Sequence, residues 1–465
     1  MLLTRRTVQI QTTLLYEKKM KKLLKFISIV LSVALLAAAG GCTDPSEPEK
    51  EQPQDNTLLQ TLSSVPVYED HGEKMLISYM NEMRPVGGRY DEAFQILQES
   101  GINAVFSWGY SKTYEEYSEK YGLDYMPHIY EKMPEQALQE AGGGEFAANV
   151  TGFNYFDEPA YNKIDDFVAI AENHEENWSD KLFYINLHPC WFEDEYEPGK
   201  TLDGHNYTEY IAHYCDTIFS RISANRFLSV DYYPLLANGT IKDAWLYTYE
   251  NVAEYAKEYD ATFHFYLATT EHNGYRKTDL NNLRYTINVA MTYGGQAMSY
   301  FNYVSYNETE TWKNGLVSVD GLTRYDEYYM AQQVNGELLK WDHVFLNFDW
   351  QSVMCVEGTS DGVNPLFSRL QFNVDSIDII EGITASEDTL VGRFTGKEGE
   401  IGLMVTNLSD PIYGKTDTVS LDLLEATKAI VYVRGEQEVI DLQNGTLNLT
   451  ILPGDAAFVI PLEIK

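Results

Sequence analysis

The feature that most constrains the fold is an eightfold repeat, between residues 74 and 304, of short apolar runs separated by longer amphipathic stretches. The runs are rich in aromatic and β-branched residues and show little strict alternation, which predicts strands that are buried on both faces. The eight predicted strands are 74–80, 102–108, 123–130, 152–156, 181–188, 226–233, 262–269 and 296–304.

The stretches between these runs have helical periodicity. In the clearest of them Thr278 can cap the helix, Leu280, Leu283 and Ile287 share one face, and Gly294 ends it. Eight strand–helix pairs predict an α/β fold, a closed parallel (β/α)8 TIM barrel. A doubly wound open sheet is the alternative. It would need a glycine-rich phosphate turn after its first strand, and NEMRPVGGRY is a poor example of one.

The pattern changes after the barrel, which is predicted to span residues 63–345. Residues 346–465 contain runs that alternate apolar and polar side chains and are separated by turns such as Asn444-Gly445. This pattern is typical of an antiparallel β-sandwich. Its expected role is structural, covering and stiffening the barrel.

The N-terminal segment 1–41 has the layout of a secretory signal, with Met20 as the expected true start. Lysines are followed by an apolar stretch and by small residues before Cys42. The Ala-Gly-Gly-Cys ending resembles a bacterial lipobox, which implies that Cys42 is lipidated. Residues 42–62 then form an acidic tether, and the expected location is the bacterial cell envelope, lipid-anchored and facing outward. An ordinary cleaved signal or a single membrane span remains open.

Charge and cysteine usage limit the partners. The formal net charge of −36 argues against nucleic acid and anionic membrane surfaces as partners, because both need a basic face. A membrane is therefore expected only through the lipid anchor. Cys190, Cys215 and Cys355 have no metal-binding spacing and make no disulfide framework. Since no His-Glu-x-x-His or comparable cluster exists, neither a metal nor another cofactor is expected.

The C-terminal ends of barrel strands carry the chemistry in this fold. The predicted ends bring together aromatic, amide, imidazole and carboxylate side chains, a combination that suits a sugar because rings stack on its C–H faces and polar groups bind its hydroxyls. The residues predicted to bind substrate are Trp108, Tyr110, His128, Asp157, Asn186, His188, Tyr232, Tyr233, Tyr300 and Asn302. A pair of carboxylates among Glu158, Asp231 and Glu271 can cleave a glycosidic bond.

Two of these motifs resemble those of clan A glycoside hydrolases. FDEP follows the fourth predicted strand and TTEHN the seventh, and LRYTINVAMTYGGQAMSYFNY resembles the strand-eight region of family 42 β-galactosidases. The resemblance implies that Glu158 is the acid/base and Glu271 the nucleophile of a retaining enzyme. Asp157 departs from the pattern, because the family has an asparagine there.

The leading interpretation is an exported glycoside hydrolase that acts on an oligosaccharide or polysaccharide, and the expected bond is β-linked, as in a β-galactoside. An inverting hydrolase that uses Glu158 with Asp231 is one alternative. A surface lipoprotein that binds glycans on a barrel scaffold without catalysis is the other, since fold does not fix function. Each acid could also serve only as a helix cap, a turn residue or an ion-pair partner.

Overall fold

Eight parallel strands form the first sheet of the computed structural model, which describes residues 58–306, 312–313, 315–359 and 364–465. The strands are β1 (Leu76–Tyr79), β2 (Ala104–Trp108), β3 (Asp124–His128), β4 (Gly152–Asp157), β5 (Leu182–Leu187), β6 (Arg226–Val230), β7 (Thr262–Ala268) and β8 (Gly295–Phe301). From β2 to β8, neighbours along the chain are neighbours in the sheet, and β8 also pairs with β1. This sequential order excludes a doubly wound sheet and confirms the predicted barrel.

The barrel closes between β1 and β2 through one asparagine. The backbone N–H of Asn103 donates to Ile77 O (3.0 Å), and its side-chain amide donates to Met75 O (2.8 Å). In return, the Ile77 N–H donates to Asn103 Oδ1 (2.8 Å). The Asn103 side chain therefore supplies backbone partners where the regular ladder is missing.

Helices follow the strands, as the periodicity predicts. They are α1 (Tyr90–Glu99), α2 (Lys112–Lys120), α3 (Pro134–Glu140), α4 (Val168–Trp178), α5 (Tyr207–Thr217), α6 (Trp245–Glu258), α7 (Leu280–Thr292), α8 (Asp326–Leu338) and α9 (Asp342–Phe345). In the described residues, no helix is both long and apolar enough to cross a membrane.

The cap of α7 differs from the prediction by one residue. Asp279, with extended backbone, accepts the Asn282 N–H at 2.8 Å and is the N-cap. The Thr278 hydroxyl instead donates to Ala268 O (2.6 Å) at the end of β7, so it is not available to cap the helix. Gly294 follows the helix with φ +82°, as expected for a terminating glycine.

The C-terminal part consists of antiparallel strands in two sheets, which confirms the predicted sandwich. The strands are β9 (Phe348–Val356), β10 (Ile380–Ala385), β11 (Thr389–Gly396), β12 (Ile401–Asn407), β13 (Asp417–Leu423), β14 (Lys428–Val433), β15 (Glu436–Asp441), β16 (Thr446–Ile451) and β17 (Ala456–Ile464). One sheet has the order β9-β11-β12-β17-β14-β15, and the other is β10-β13-β16. The exact domain boundaries stay a prediction.

The larger sheet of the sandwich faces the barrel. Phe394 and Phe458 on this sheet pack around Phe345 of α9, with ring centroids 5.5 and 5.7 Å away. A second core lies between the two sheets.

The N-terminal predictions fall largely outside the described residues. The signal segment, Cys42 and residues 43–57 are not described. At the end of the segment expected as tether, Thr61–Leu62 form a short strand parallel to β17.

Candidate active site

A bulge at the end of β4 decides which acid faces the barrel interior. The register pairs Asn154 with Tyr184, but Asp157 with Asn186, so Tyr155 is an extra residue. In a regular strand, Phe156 would share the inward face of Asn154, because side chains alternate between the two faces. The extra residue shifts this alternation by one position, so Asp157 lies on the same face as Asn186. The run therefore ends with one acid inside the barrel mouth and a second acid immediately after it.

Asn186 on β5 joins two of the acids. Its Nδ2 donates to Asp157 Oδ1 and to Asp231 Oδ1, both at 3.0 Å. Its Oδ1 accepts from Ser229 Oγ (2.8 Å) on β6, which fixes the orientation of the amide. The ends of β4 and β6 are thus tied together by one side chain at the C-terminal end of the barrel.

The hydrogen-bond chain continues through the barrel core. Ser229 Oγ lies 2.7 Å from His264 Nδ1 on β7, and His264 Nε2 lies 2.9 Å from Ser299 Oγ on β8. Burial lowers the pKa of His264 to about 3, so this imidazole is neutral. Because every member has a partner, the chain holds Asn186 rigidly.

The carboxylates raise one another's proton affinity. Burial, and secondly the charge of Glu158, raises the pKa of Asp157 to about 6, against the hydrogen bond from Asn186. The pKa of Asp231 lies well above its usual range, first because of burial and then because of the charges of Glu158 and Asp157. The charged form of Asp231 is therefore disfavoured, and the side chain of Glu158 is the more exposed of the two.

Glu158 occupies a backbone conformation that L-residues avoid. Its φ is +53°, and its N–H donates to Asn186 O at 2.8 Å. The next residue, Pro159, is buried, and its carbonyl accepts from Tyr210 OH (2.8 Å). The same hydroxyl accepts the His188 N–H (3.2 Å). Strain held by such surrounding contacts is typical of functional sites.

One wall of the mouth is formed at the ends of β2 and β3. The Trp108 ring lies 4.9 Å from His128 and 5.9 Å from Tyr130. Trp108 Nε1 donates to Asn81 Oδ1 (2.9 Å), and Asn81 Nδ2 donates to Asn302 Oδ1 (2.7 Å). Burial lowers the pKa of His128 to about 4, and neither ring nitrogen has a partner among the described residues.

The opposite wall is formed after β6, β7 and β8. Tyr233 lies 5.5 Å from Phe301 and 5.9 Å from His272, which stacks on Trp312 at 4.7 Å. Burial, and then the charges of Asp231 and the neighbouring acids, raise the pKa of Tyr233. That hydroxyl has no partner among the described residues.

Two predicted substrate-binding residues lie away from the acids. Tyr110 donates to Glu115 Oε2 (2.8 Å) on α2. Tyr300 donates to Asn335 Oδ1 (2.6 Å) on α8. Tyr300 faces the helices because Ser299, the preceding residue of β8, faces the interior.

Glu271 is not joined to the other acids. Its described contact is made by the backbone, whose carbonyl accepts the Lys313 N–H at 2.9 Å. Within the described ranges, no hydrogen bond or ion pair connects its half-buried side chain with Asp157, Glu158 or Asp231. Its role as nucleophile stays a prediction.

The sequence analysis did not identify four residues that lie at the mouth of the barrel. Trp191 follows β5 closely and could have been found by extending each strand end by a few residues. Tyr210 lies on α5, and Lys242 and Trp312 lie in long loops, where no periodicity marks them. Lys242 Nζ lies 3.7 Å from the Trp191 ring centroid and 5.8 Å from that of Tyr232.

Across the part of the chain that the structure describes, no group of three or more histidine, cysteine or carboxylate side chains is arranged to hold a metal ion.

No protein-family model and no curated protein matches the chain. Among solved structures it is similar to a GH27 β-L-arabinopyranosidase from Geobacillus stearothermophilus, with TM-score 0.40 and 12% identity over 84% of this chain and 96% of that one. It is also similar to a GH30 endoxylanase from Clostridium papyrosolvens C71, with TM-score 0.36 and 10% identity over 84% and 97%. An Anoxybacillus α-amylase gives TM-score 0.37 and 8% identity over 81% and 90%. Likeness this distant identifies no function, so the case for one rests on the site.

Proposed function

We propose that the protein is a glycoside hydrolase that acts on an oligosaccharide or polysaccharide. The observation that carries the proposal is that the Asn186 side-chain amide joins Asp157 and Asp231 while its backbone carbonyl accepts the N–H of Glu158, at the barrel end where this fold carries its chemistry. Aromatic walls on both sides offer faces for sugar rings.

The different surroundings of the carboxyl groups suit an acid and a base. Burial and the neighbouring acids raise the pKa of Asp231, which suits it to protonate the leaving oxygen of a glycosidic bond. Glu158 is the exposed carboxylate and can activate water or attack the anomeric carbon. Asp157, with a pKa of about 6, is mainly ionised at neutral pH and accepts from the substrate or from Asn186.

The surroundings favour Glu158 with Asp231 as the reacting pair, rather than the Glu158 and Glu271 pair that the resemblance implies, because the charge of Glu158 acts on Asp231. Carboxyl groups about 5–5.5 Å apart are typical of a retaining enzyme and about 6.5–9.5 Å apart of an inverting one. The stereochemical outcome of hydrolysis distinguishes the two mechanisms.

The test is hydrolysis of a panel of aryl α- and β-glycosides and defined oligosaccharides, with proton NMR of the first-formed anomer. Asp231→Asn and Glu158→Gln should each lower kcat at least 100-fold on a substrate with a poor leaving group. Glu197→Gln, an exposed acid in the loop after β5, is the matched control. A wild-type protein that cleaves nothing but binds sugars would support the non-catalytic alternative instead.

Glu271→Ala separates the two mechanisms. Loss of turnover with partial rescue by azide would restore Glu271 as the nucleophile. Near-normal turnover of Glu271→Ala, with Asp231→Asn inactive, supports the pair proposed here.

We also propose that the enzyme is lipid-anchored through Cys42 on the outer side of the bacterial envelope. The order of signal, small residues, cysteine and acidic tether supports this proposal. Metabolic labelling with a palmitate analogue should mark the wild type and not Cys42→Ala. Equal labelling of both would refute the anchor.

A further inference from the structure

An amine without a carboxylate partner lies at the mouth of the barrel. Lys242 forms no ion pair with any described residue, although the chain has 70 acidic and only 34 basic residues. Its Nζ donates to Tyr275 OH (2.5 Å) and lies 3.7 Å from the Trp191 ring centroid and 4.4 Å from that of Tyr275. The amine is therefore held in place by aromatic groups.

The surroundings of Lys242 disfavour its charged form. Burial lowers the pKa of Lys242 to about 8, against the opposing effects of Glu193 and Asp231. The rings recover part of the lost hydration through cation–π contact but do not neutralise the charge. A desolvated charge that the fold positions but does not pair is a candidate for ligand binding.

The amine also lies close to the acids. Tyr275, its hydrogen-bond partner, has its ring centroid 5.7 Å from that of Tyr233 and 4.8 Å from that of His272. Tyr233 follows Asp231 by two residues, and the charge of Asp231 acts on Lys242. A sugar bound at the carboxylates would therefore present its substituents to this amine. Glu193 and Asp231 are the acids whose charges act on Lys242, and both would oppose an anion bound there.

We propose that Lys242 and Tyr275 form a subsite for a negatively charged substituent, so that the substrate is an acidic sugar. The substituent for which we argue is the carboxylate of a uronic acid. A sulfate ester offers the same charge and acceptor oxygens, and the experiment distinguishes the two. This inference rests on the proposed glycoside hydrolase function and adds the substrate class.

The hydrolysis test compares sugars that differ only in the charged group. The wild type is assayed with 4-nitrophenyl glycosides in both anomeric forms. Glucuronides are compared with glucosides, and galacturonides with galactosides. The 6-sulfated glucosides are assayed as well. We expect kcat/KM for one uronide to exceed that of its neutral counterpart at least tenfold. Lys242→Gln should reduce this ratio at least tenfold, whereas Lys277→Gln, an exposed lysine after β7, should preserve it. A preference for the sulfated sugar would assign the subsite to sulfate instead of carboxylate.

A binding measurement separates this inference from the proposed function. Asp231→Asn is titrated calorimetrically with free glucuronate, galacturonate, glucose and galactose, and again with Lys242→Gln added. Binding of a uronate that is lost with Lys242→Gln supports the subsite, even if the wild type hydrolyses nothing and the glycosidase proposal fails. A different result would be that the protein hydrolyses neutral glycosides, shows no preference for any charged sugar and binds no uronate. This result would overturn the subsite and still support the glycosidase proposal. Absence of both hydrolysis and binding overturns both.

Discussion

At the residue scale, the site depends on how Asn186 sets two proton affinities. Its amide donates to Asp157 and Asp231, and both bonds favour the ionised acids. Without the amide, burial and mutual repulsion act unopposed, and both pKa values must rise. Asn186 is thus a positioning residue whose effect is readable in a pH profile.

Asn186→Ala should therefore move the acidic limb of kcat/KM to higher pH. In the wild type, activity that needs ionised Asp157 falls as the pH drops below its pKa of about 6. In the variant this fall begins at a higher pH. Asn177→Ala, whose amide bonds only within the surface of α4, should leave the limb in place. An unmoved limb in Asn186→Ala would show that Asp157 does not control it.

The backbone of Glu158 gives a second prediction at this scale. A positive φ costs a non-glycine residue about 1–3 kcal/mol, and both glycine and alanine remove the carboxylate. Glu158→Gly should thus be about 1 kcal/mol more stable to urea than Glu158→Ala, while both are inactive. Equal stability of the two variants would mean that the backbone relaxes without glycine.

At the element scale, the sequence predicts strands and helices well and the site only in part. The eight runs are recognisable because buried parallel strands need continuous apolar sequence, and each lies within a few residues of an observed strand. The strand ends therefore bring Asp157, Asn186 and Asp231 together as expected. The β4 bulge, which turns Asp157 inward, leaves no signal in residue types. Lys242 lies in a loop, whose course depends on tertiary contacts rather than on a periodic pattern.

Helix α6 carries a buried acid that makes stability depend on pH. Glu250 accepts backbone N–H groups of Gln371 (2.8 Å) and Phe372 (3.1 Å), which connects α6 to the segment between β9 and β10. Burial outweighs these bonds and raises its pKa to about 7. The folded protein therefore retains a proton that the unfolded chain releases from about pH 4.5 upward.

The free energy of unfolding should consequently fall as the pH rises from about 4.5 to about 7. Glu250 alone should account for a decrease on the order of 3 kcal/mol. Glu250→Gln is neutral at every pH and should remove that part of the dependence. Urea denaturation from pH 4.5 to 8 measures it, with Glu258→Gln, exposed on the same helix, as control. Parallel curves for the wild type and Glu250→Gln would contradict the raised pKa.

At the scale of the whole molecule, the sandwich is part of the structure that holds α7. Arg276, after β7, forms a bidentate pair with Asp410 at 2.6 and 2.7 Å. Tyr285 OH on α7 donates to Leu408 O (2.7 Å), and the Trp350 indole donates to Thr292 O (3.0 Å) at the helix end. A helix that looks amphipathic in sequence is therefore buried on two sides.

Removal of the sandwich should for this reason unfold the barrel rather than merely shorten the protein. A fragment of residues 58–345 would expose to water the aromatic ring of Phe345, which packs on Phe394 and Phe458, and the face of α7 that the sandwich covers. It would also lose the Arg276–Asp410 ion pair. We expect the fragment to be poorly soluble, with no cooperative thermal transition by circular dichroism and no activity on any substrate that the full chain cleaves. Co-expression with residues 346–465 as a separate chain should restore part of the soluble protein, because the same contacts can form between two chains. A soluble, cooperative and fully active fragment ending near residue 345 would show that the barrel folds independently and that the sandwich only covers it.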